Sequence, residues 1–207
     1  MASNEIELVN LSLALQGEAE IVSFDEKSRA AKIAKLYYPN TRDWVLRRHP
    51  WNAALRQAEL VPLLTTPTFG WDAEYLLPAE PNHCLRVLAI DEDYGTTSRS
   101  KGRNAAPFII QGRKLFCNIT TGIKLTYIKR LVDVTEMDAL LVDVIASKLA
   151  VDMIYVLSGS TTNLQLARAR FDEVLASARA IDSREQGKFF DDSPTVTNRL
   201  GSNPRFY

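Results

Sequence analysis

Two hydrophobic periods divide the chain, and they change at Arg47-Arg48-His49-Pro50-Trp51-Asn52. Before this stretch apolar residues recur at helical spacing. From Trp51 to about Arg130 they alternate and are broken by Pro and Gly, and from Thr135 to about Glu185 the helical spacing returns. Pro50 drives His49 out of the α region and brings no amide donor, so a helix arriving from Asp25 must end there. The pattern predicts an α+β fold: a helical bundle of about four helices (1–50 and 131–185), an inserted small antiparallel β domain (51–130) and an extended C-terminal arm (186–207). His49, Pro50 and Trp51 form the expected structural joint, with the indole packed where helix and sheet meet.

The first helix is expected from about Glu5 to Gln16, with Ile6, Val9 and Leu13 on one face and Gly17 as its stop. Asp25 is the expected cap of the second, in which Ala30, Ile33, Ala34, Tyr37, Trp44 and Val45 keep one phase across Pro39. That phase favours one kinked helix over two helices broken at Tyr38 and capped again at Asn40 or Thr41. In the insertion, Trp51 to Leu64 reads as a strand or irregular edge, followed by strands at Ala73 to Leu77 and Cys84 to Ile90, a hairpin of Ile109-Ile110 and Lys114 to Asn118 around Gln111-Gly112-Arg113, and a strand from Ile123 to Arg130. Asp91 to Ala106 is polar and reads as a long exposed connection.

The third helix is expected from about Glu136 to Leu157, capped by Thr135 with Asp138 three residues on and stopped by Gly159. Its apolar residues nearly encircle it, which requires more than one packing neighbour and points to an oligomer. The last, about Thr162 to Glu185, carries a narrow stripe of Leu164, Ala167, Phe171, Val174, Leu175, Ala178 and Ile181, as a peripheral helix would.

Composition narrows the chemistry. Lys plus Arg and Asp plus Glu both number 25, so attraction to nucleic acid or an anionic membrane can only be local. The amino terminus lacks a basic segment followed by an apolar run, and charges such as Asp143, Lys148 and Asp152 keep every apolar stretch short of the ~20 residues a membrane span needs. A protein made in the cytoplasm is expected, with Cys84 and Cys117 as thiols serving as small apolar strand residues. His49 at a helix end and His83 in a turn are expected to be structural, and Asp91-Glu92-Asp93 a solvated loop tip. No nucleophile-elbow, phosphate-loop, dinucleotide or zinc motif occurs, so no catalytic, metal or cofactor-binding residue is expected. The basic loop at Arg99, Lys101 and Arg103 is a candidate contact for a partner or for DNA, and with Arg47 and Arg48 it defines the competing reading of a nucleic-acid-binding module. Neutral overall charge and the absence of interleaved aromatics weigh against that reading. The arm carries Phe189, Phe190, Arg205, Phe206 and Tyr207, aromatic groups suited to docking on a neighbouring subunit or partner.

In order along the chain stand Leu13-Ala14-Leu15-x-Gly17-Glu18-Ala19; Ile21-x-Ser23; Ala30-Ala31; Tyr38-Pro39; Arg42-Asp43; His49-Pro50-Trp51-Asn52-x-Ala54-Leu55-Arg56; Tyr75-x-Leu77-Pro78; Cys84-Leu85-Arg86-Val87; Tyr127-Ile128; and Ala146-x-x-Leu149-Ala150 before Leu157-Ser158-Gly159. This series resembles the head-to-tail adaptor proteins of tailed phages, in particular the tail tubular protein A type of short-tailed phages. The resemblance covers nearly the whole chain and departs mainly in the Asp91 to Ala106 loop and the arm. It implies a helical bundle with a β insertion and a homo-oligomeric ring, commonly dodecameric. Such a ring joins the portal protein to the tail nozzle protein in the virion and lines the path of double-stranded DNA without reading its sequence. No catalytic residue and no cofactor come with it.

Overall fold

The computed structural model describes residues 4–65, 67–68, 70–91 and 106–185. The fold is α+β: four helices and two three-stranded antiparallel sheets. Helix α1 (Glu5–Ala14) starts at Asn4, whose side chain accepts from the Glu7 amide at 2.9 Å and donates to the Glu7 carboxylate at 3.3 Å, so two groups at the helix end are satisfied reciprocally. It ends as Gly17 turns the chain at φ +72°, a conformation that favours glycine.

Helix α2 (Arg29–Arg48) is capped three residues later than expected. Ser28 takes the capping role by accepting from the Ala31 amide at 3.2 Å, while Asp25 pairs with Lys35 at 2.7 Å. A turn in which the Glu26 amide donates to the Ser23 carbonyl separates Asp25 from the helix. The helix is continuous across Pro39, so the alternative break at Tyr38 does not occur.

After a 3-10 turn (Asn52–Ala54), the insertion holds β1 (Leu55–Leu60), β2 (Ala73–Leu76), β3 (Cys84–Asp91), β4 (Phe108–Gln111), β5 (Lys114–Cys117) and β6 (Ile123–Lys129). The sheets have strand orders β1-β6-β3 and β2-β5-β4. Between them lies a core of Ala73, Tyr75, Leu77, Leu115, Cys117, Ile123, Leu125 and Tyr127 with Cys84, Val87 and Ile90. The expected strand from Trp51 to Leu64 is thus divided. Its first residues form the 3-10 turn, its middle is β1, and beyond Pro62 the chain moves to the other sheet, where the Leu63 amide donates to the Glu74 carbonyl at 2.8 Å. Of the connection expected at Asp91 to Ala106, residues 92–105 lie outside the described residues, as does the arm, 186–207.

Helix α3 (Ala139–Ser158) starts three residues after the position predicted for it. Asp133 accepts from both the Thr135 amide at 2.9 Å and the Thr135 hydroxyl at 2.8 Å, closing a separate 3-10 turn (Val134–Glu136). Asp138 then caps α3 by accepting from the Leu141 amide at 2.6 Å. Helix α4 is Thr161–Glu185. Most of the apolar surface of α3 is covered by α1, α2 and α4 of the same chain, with Tyr155 and Val156 left exposed. The helix finds several of the neighbours it needs within the chain, so its burial does not by itself call for a second subunit. Among the described residues no helix is long and apolar enough to cross a membrane.

The frame's core does not stop at the insertion. Leu8, Leu13, Tyr38, Leu46, Trp51, Leu141, Ile145 and Met153 are continuous with Leu85 and Ile128 on the sheet β1-β6-β3. Alternation along β6 sends Leu125 and Tyr127 to the core between the sheets and Ile128 to the frame, so this sheet is the wall shared by both cores.

Candidate functional site

A connected polar region lies where the chain passes from frame to insertion. His49 is extended at φ −140°, ψ 149°, as a residue before proline should be, and this releases the chain from α2. Trp51 is 1% exposed; its indole Nε1–H donates back to the Val45 carbonyl at 3.0 Å, and the His49 ring meets it edge-on at 4.7 Å. From the far end of the sequence comes Asp182, 2% exposed on the last turns of α4. Its carboxylate accepts from His49 Nε2 at 2.9 Å and from the Asn52 amide at 3.0 Å, while Asn52 Nδ2 donates to the Asp182 carbonyl at 2.9 Å. Burial lowers the pKa of His49 and outweighs the hydrogen bond and charge of Asp182, which raise it; Arg179 and Arg86 lower it further.

Sequence reasoning singled out His49, Pro50 and Trp51 but not Asp182. The stripe of α4 was expected to include Ile181, which is 39% exposed; the position that turns inward is Asp182. A helix periodicity read with only apolar residues has no place for a buried carboxylate, and its partners are named by a contact spanning 133 positions. An apolar stripe interrupted by one Asp at the inward phase was the signal available.

A second set of contacts ties α2 to the insertion. Arg47 donates to the Leu85 carbonyl at 2.5 Å, and Arg86 to the Arg47 carbonyl at 3.1 Å. Arg130, just beyond β6, pairs with Asp43 at 2.8 Å and Glu80 at 3.0 Å, and Arg42, buried, pairs with Asp43 at 3.0 Å. Tyr38 lies beneath this group, its pKa pushed up to about 12 chiefly by burial, with the charge of Glu5 next. Of the basic residues proposed from sequence for nucleic acid, Arg47 is engaged as described and Arg48 stacks over Trp44 at 5.3 Å. Trp44 also meets Lys148 at 4.9 Å and Phe171 at 6.2 Å. Arg99, Lys101 and Arg103, like Phe189, Phe190, Arg205, Phe206 and Tyr207, lie outside the described residues.

His83 sits in the turn before β3, 3.5 Å from Glu80 and 3.2 Å from Arg113. Burial lowers its pKa, with the charges of Arg113 and Arg130 adding to the effect. Arg113 closes this turn by donating to the carbonyls of Cys84 at 2.9 Å, Leu77 at 3.4 Å and Pro78. Cys84 and Cys117 are buried thiols, and burial raises the pKa of Cys84. Glu92 and Asp93 of the acidic run are outside the described residues; among the described residues no group of His, Cys, Asp or Glu is arranged to hold a metal ion.

Chemically, the joint is a clasp. With His49 Nε2 bonded to Asp182 and its ring set against Trp51, the imidazole acts as a strut between α2 and α4. The arrangement fixes the angle at which the insertion leaves the frame. Compared with known protein families and with curated protein sequences, the chain matches none.

Proposed function

We propose that this protein is a structural component of a phage virion: a ring-forming head-to-tail adaptor that joins the portal to the tail nozzle and surrounds the DNA path. The observation that carries the reading is the rigid coupling of two unlike bodies. One core runs from the helical frame into the sheet β1-β6-β3, and the Asp182 clasp, the Arg47–Leu85 bond and the Arg130 ion pairs hold the joint from three sides. A connector between two assemblies needs one body for each and no hinge between them.

The residues that carry the resemblance to the tail tubular protein A type support the same reading. Leu13, Tyr38, Arg42, Trp51, Ala54, Tyr75, Leu77, Cys84, Leu85, Val87, Tyr127, Ile128, Leu149 and Ala150 are buried and build the frame, the joint and the wall between the cores, while others of the series, among them Leu15, Gly17, Pro39 and Arg86, are exposed. Portal and nozzle proteins are the partners in this reading, and the neck of the virion is its location. Light scattering of the purified protein with and without the portal ring of the same virus tests it. The reading requires a complex containing several copies per portal; separate elution of the two proteins at every mixing ratio refutes it.

A further inference from the structure

A groove runs along the frame between α1 and α3, open to solvent, with a floor of Leu11, Ala14 and Val142 and a rim of Glu7, Glu20 and Asp143. Leu11 is 42% exposed, an apolar side chain left at the surface beside carboxylates. Among the described residues neither Glu20 nor Asp143 has a cationic partner. The wall bearing Glu20 is fixed in place, because the Asn10 side chain exchanges two hydrogen bonds with the backbone of Ile21, at 3.0 and 2.9 Å. An apolar floor beside Glu20 and Asp143, two carboxylates without a cationic partner among the described residues, selects a ligand that brings aromatic or aliphatic groups flanked by cations.

Such a ligand is present in the chain itself. Arg199-Leu200-Gly201-Ser202-Asn203-Pro204-Arg205-Phe206-Tyr207 has two arginines, no acidic side chain and three large apolar groups. We propose that the groove receives residues 199–207 of a second copy, with Arg199 and Arg205 set against the rim and Leu200, Phe206 or Tyr207 on the floor. The tail leaves the frame at the end where the α3 side of the groove, Ala139 to Asp143, begins. Asp182 holds the end of α4 at the joint, the same end of the frame at which α3 begins beyond Glu136, itself bonded to Arg56 and Lys129. The residues from Gln186 to Asn198, drawn out, span roughly 40 Å, several helix diameters. A contact between one copy's tail and the next copy's groove is heterologous, so it passes from subunit to subunit and can close a ring. This inference deepens the self-assembly part of the adaptor reading and rests on it.

Charge reversal with complementation tests it on the full chain and without portal. One variant carries Glu20→Lys and Asp143→Lys, the other Arg199→Glu and Arg205→Glu, and circular dichroism checks that each is folded. By sedimentation velocity the wild type should self-associate, each variant alone should do so at least about tenfold more weakly, and an equimolar mixture should recover association by pairing the reversed tail with the reversed groove. A wild type that stays monomeric at all concentrations, variants that associate as it does, or a mixture no better than its parts would each overturn the proposal. Because portal is absent, loss of this contact is read separately from loss of portal attachment.

Discussion

Asp182 reaches across the frame to His49, their side chains 2.9 Å apart, and so the last helix closes on the residue at which the second helix ends. The same carboxylate holds the Asn52 amide, so it touches both sides of the Pro50 break. Asp182→Ala leaves a partly buried amide and a partly buried imidazole without their acceptor. Fully buried unsatisfied donors cost about 1–3 kcal/mol each; with both groups only partly buried, the variant should lose about 2–4 kcal/mol in urea unfolding, the lower part of the summed range. Asn52→Ala should lose less, because Asp182 keeps His49. An unchanged midpoint for Asp182→Ala would show that the clasp does not hold the joint.

The pH dependence of stability follows from the same pair. His49 has a lowered pKa in the folded protein because burial disfavours its charged form. The folded state therefore binds fewer protons than the unfolded state below the ordinary histidine range, and stability falls as pH drops through that window. The contribution of His49 is fully present above about pH 6.5, the usual histidine value. His83 shifts in the same direction, so the test is a difference: His49→Gln should flatten the loss of stability on acidification while His83 continues to contribute. An identical pH profile for His49→Gln would contradict the assignment.

Trp51→Ala removes the largest side chain of the joint together with its bond to the Val45 carbonyl. Truncation of a buried Trp typically costs about 3–5 kcal/mol. Trp51→Phe, which keeps most of the volume but not the donor, should cost less. Chemical denaturation of both variants gives the comparison, and a near wild-type Trp51→Ala would place the indole elsewhere.

Much of this architecture was legible in the sequence, because it depends on period and on proline. The change from helical to alternating spacing at Pro50 located the joint, and the phase kept across Pro39 predicted the continuous helix α2. Capping was read less well. Asp25 and Thr135 have the right chemistry, but Ser28 and Asp138 stand nearer the first helical turn, and Lys35 and Asp133 engage the rejected candidates. The clasp was not legible, since pairing His49 with Asp182 requires knowing that α4 returns to the end of α2. The encircling apolar surface of α3 was seen, but sequence alone does not tell coverage by the chain's own helices from coverage by another subunit.

Arg113 offers a local test. It bonds three carbonyls of the turn between β2 and β3, so Arg113→Ala should leave the frame intact while loosening that turn. Hydrogen exchange should rise at Cys84, whose amide donates to the Pro78 carbonyl at 3.0 Å, and stay unchanged in α3. Equal protection at Cys84 in both proteins would show that Arg113 does not hold the turn.

The adaptor reading is tested most directly by cryo-electron microscopy of the virion neck, using particles that carry a recognisable tag on this protein. The account predicts a closed ring of copies between portal and nozzle, each showing the four-helix frame and the two-sheet insertion in the fixed relation set by His49, Trp51 and Asp182. A neck from which the tag is absent, or a ring there built of a different fold, would contradict it.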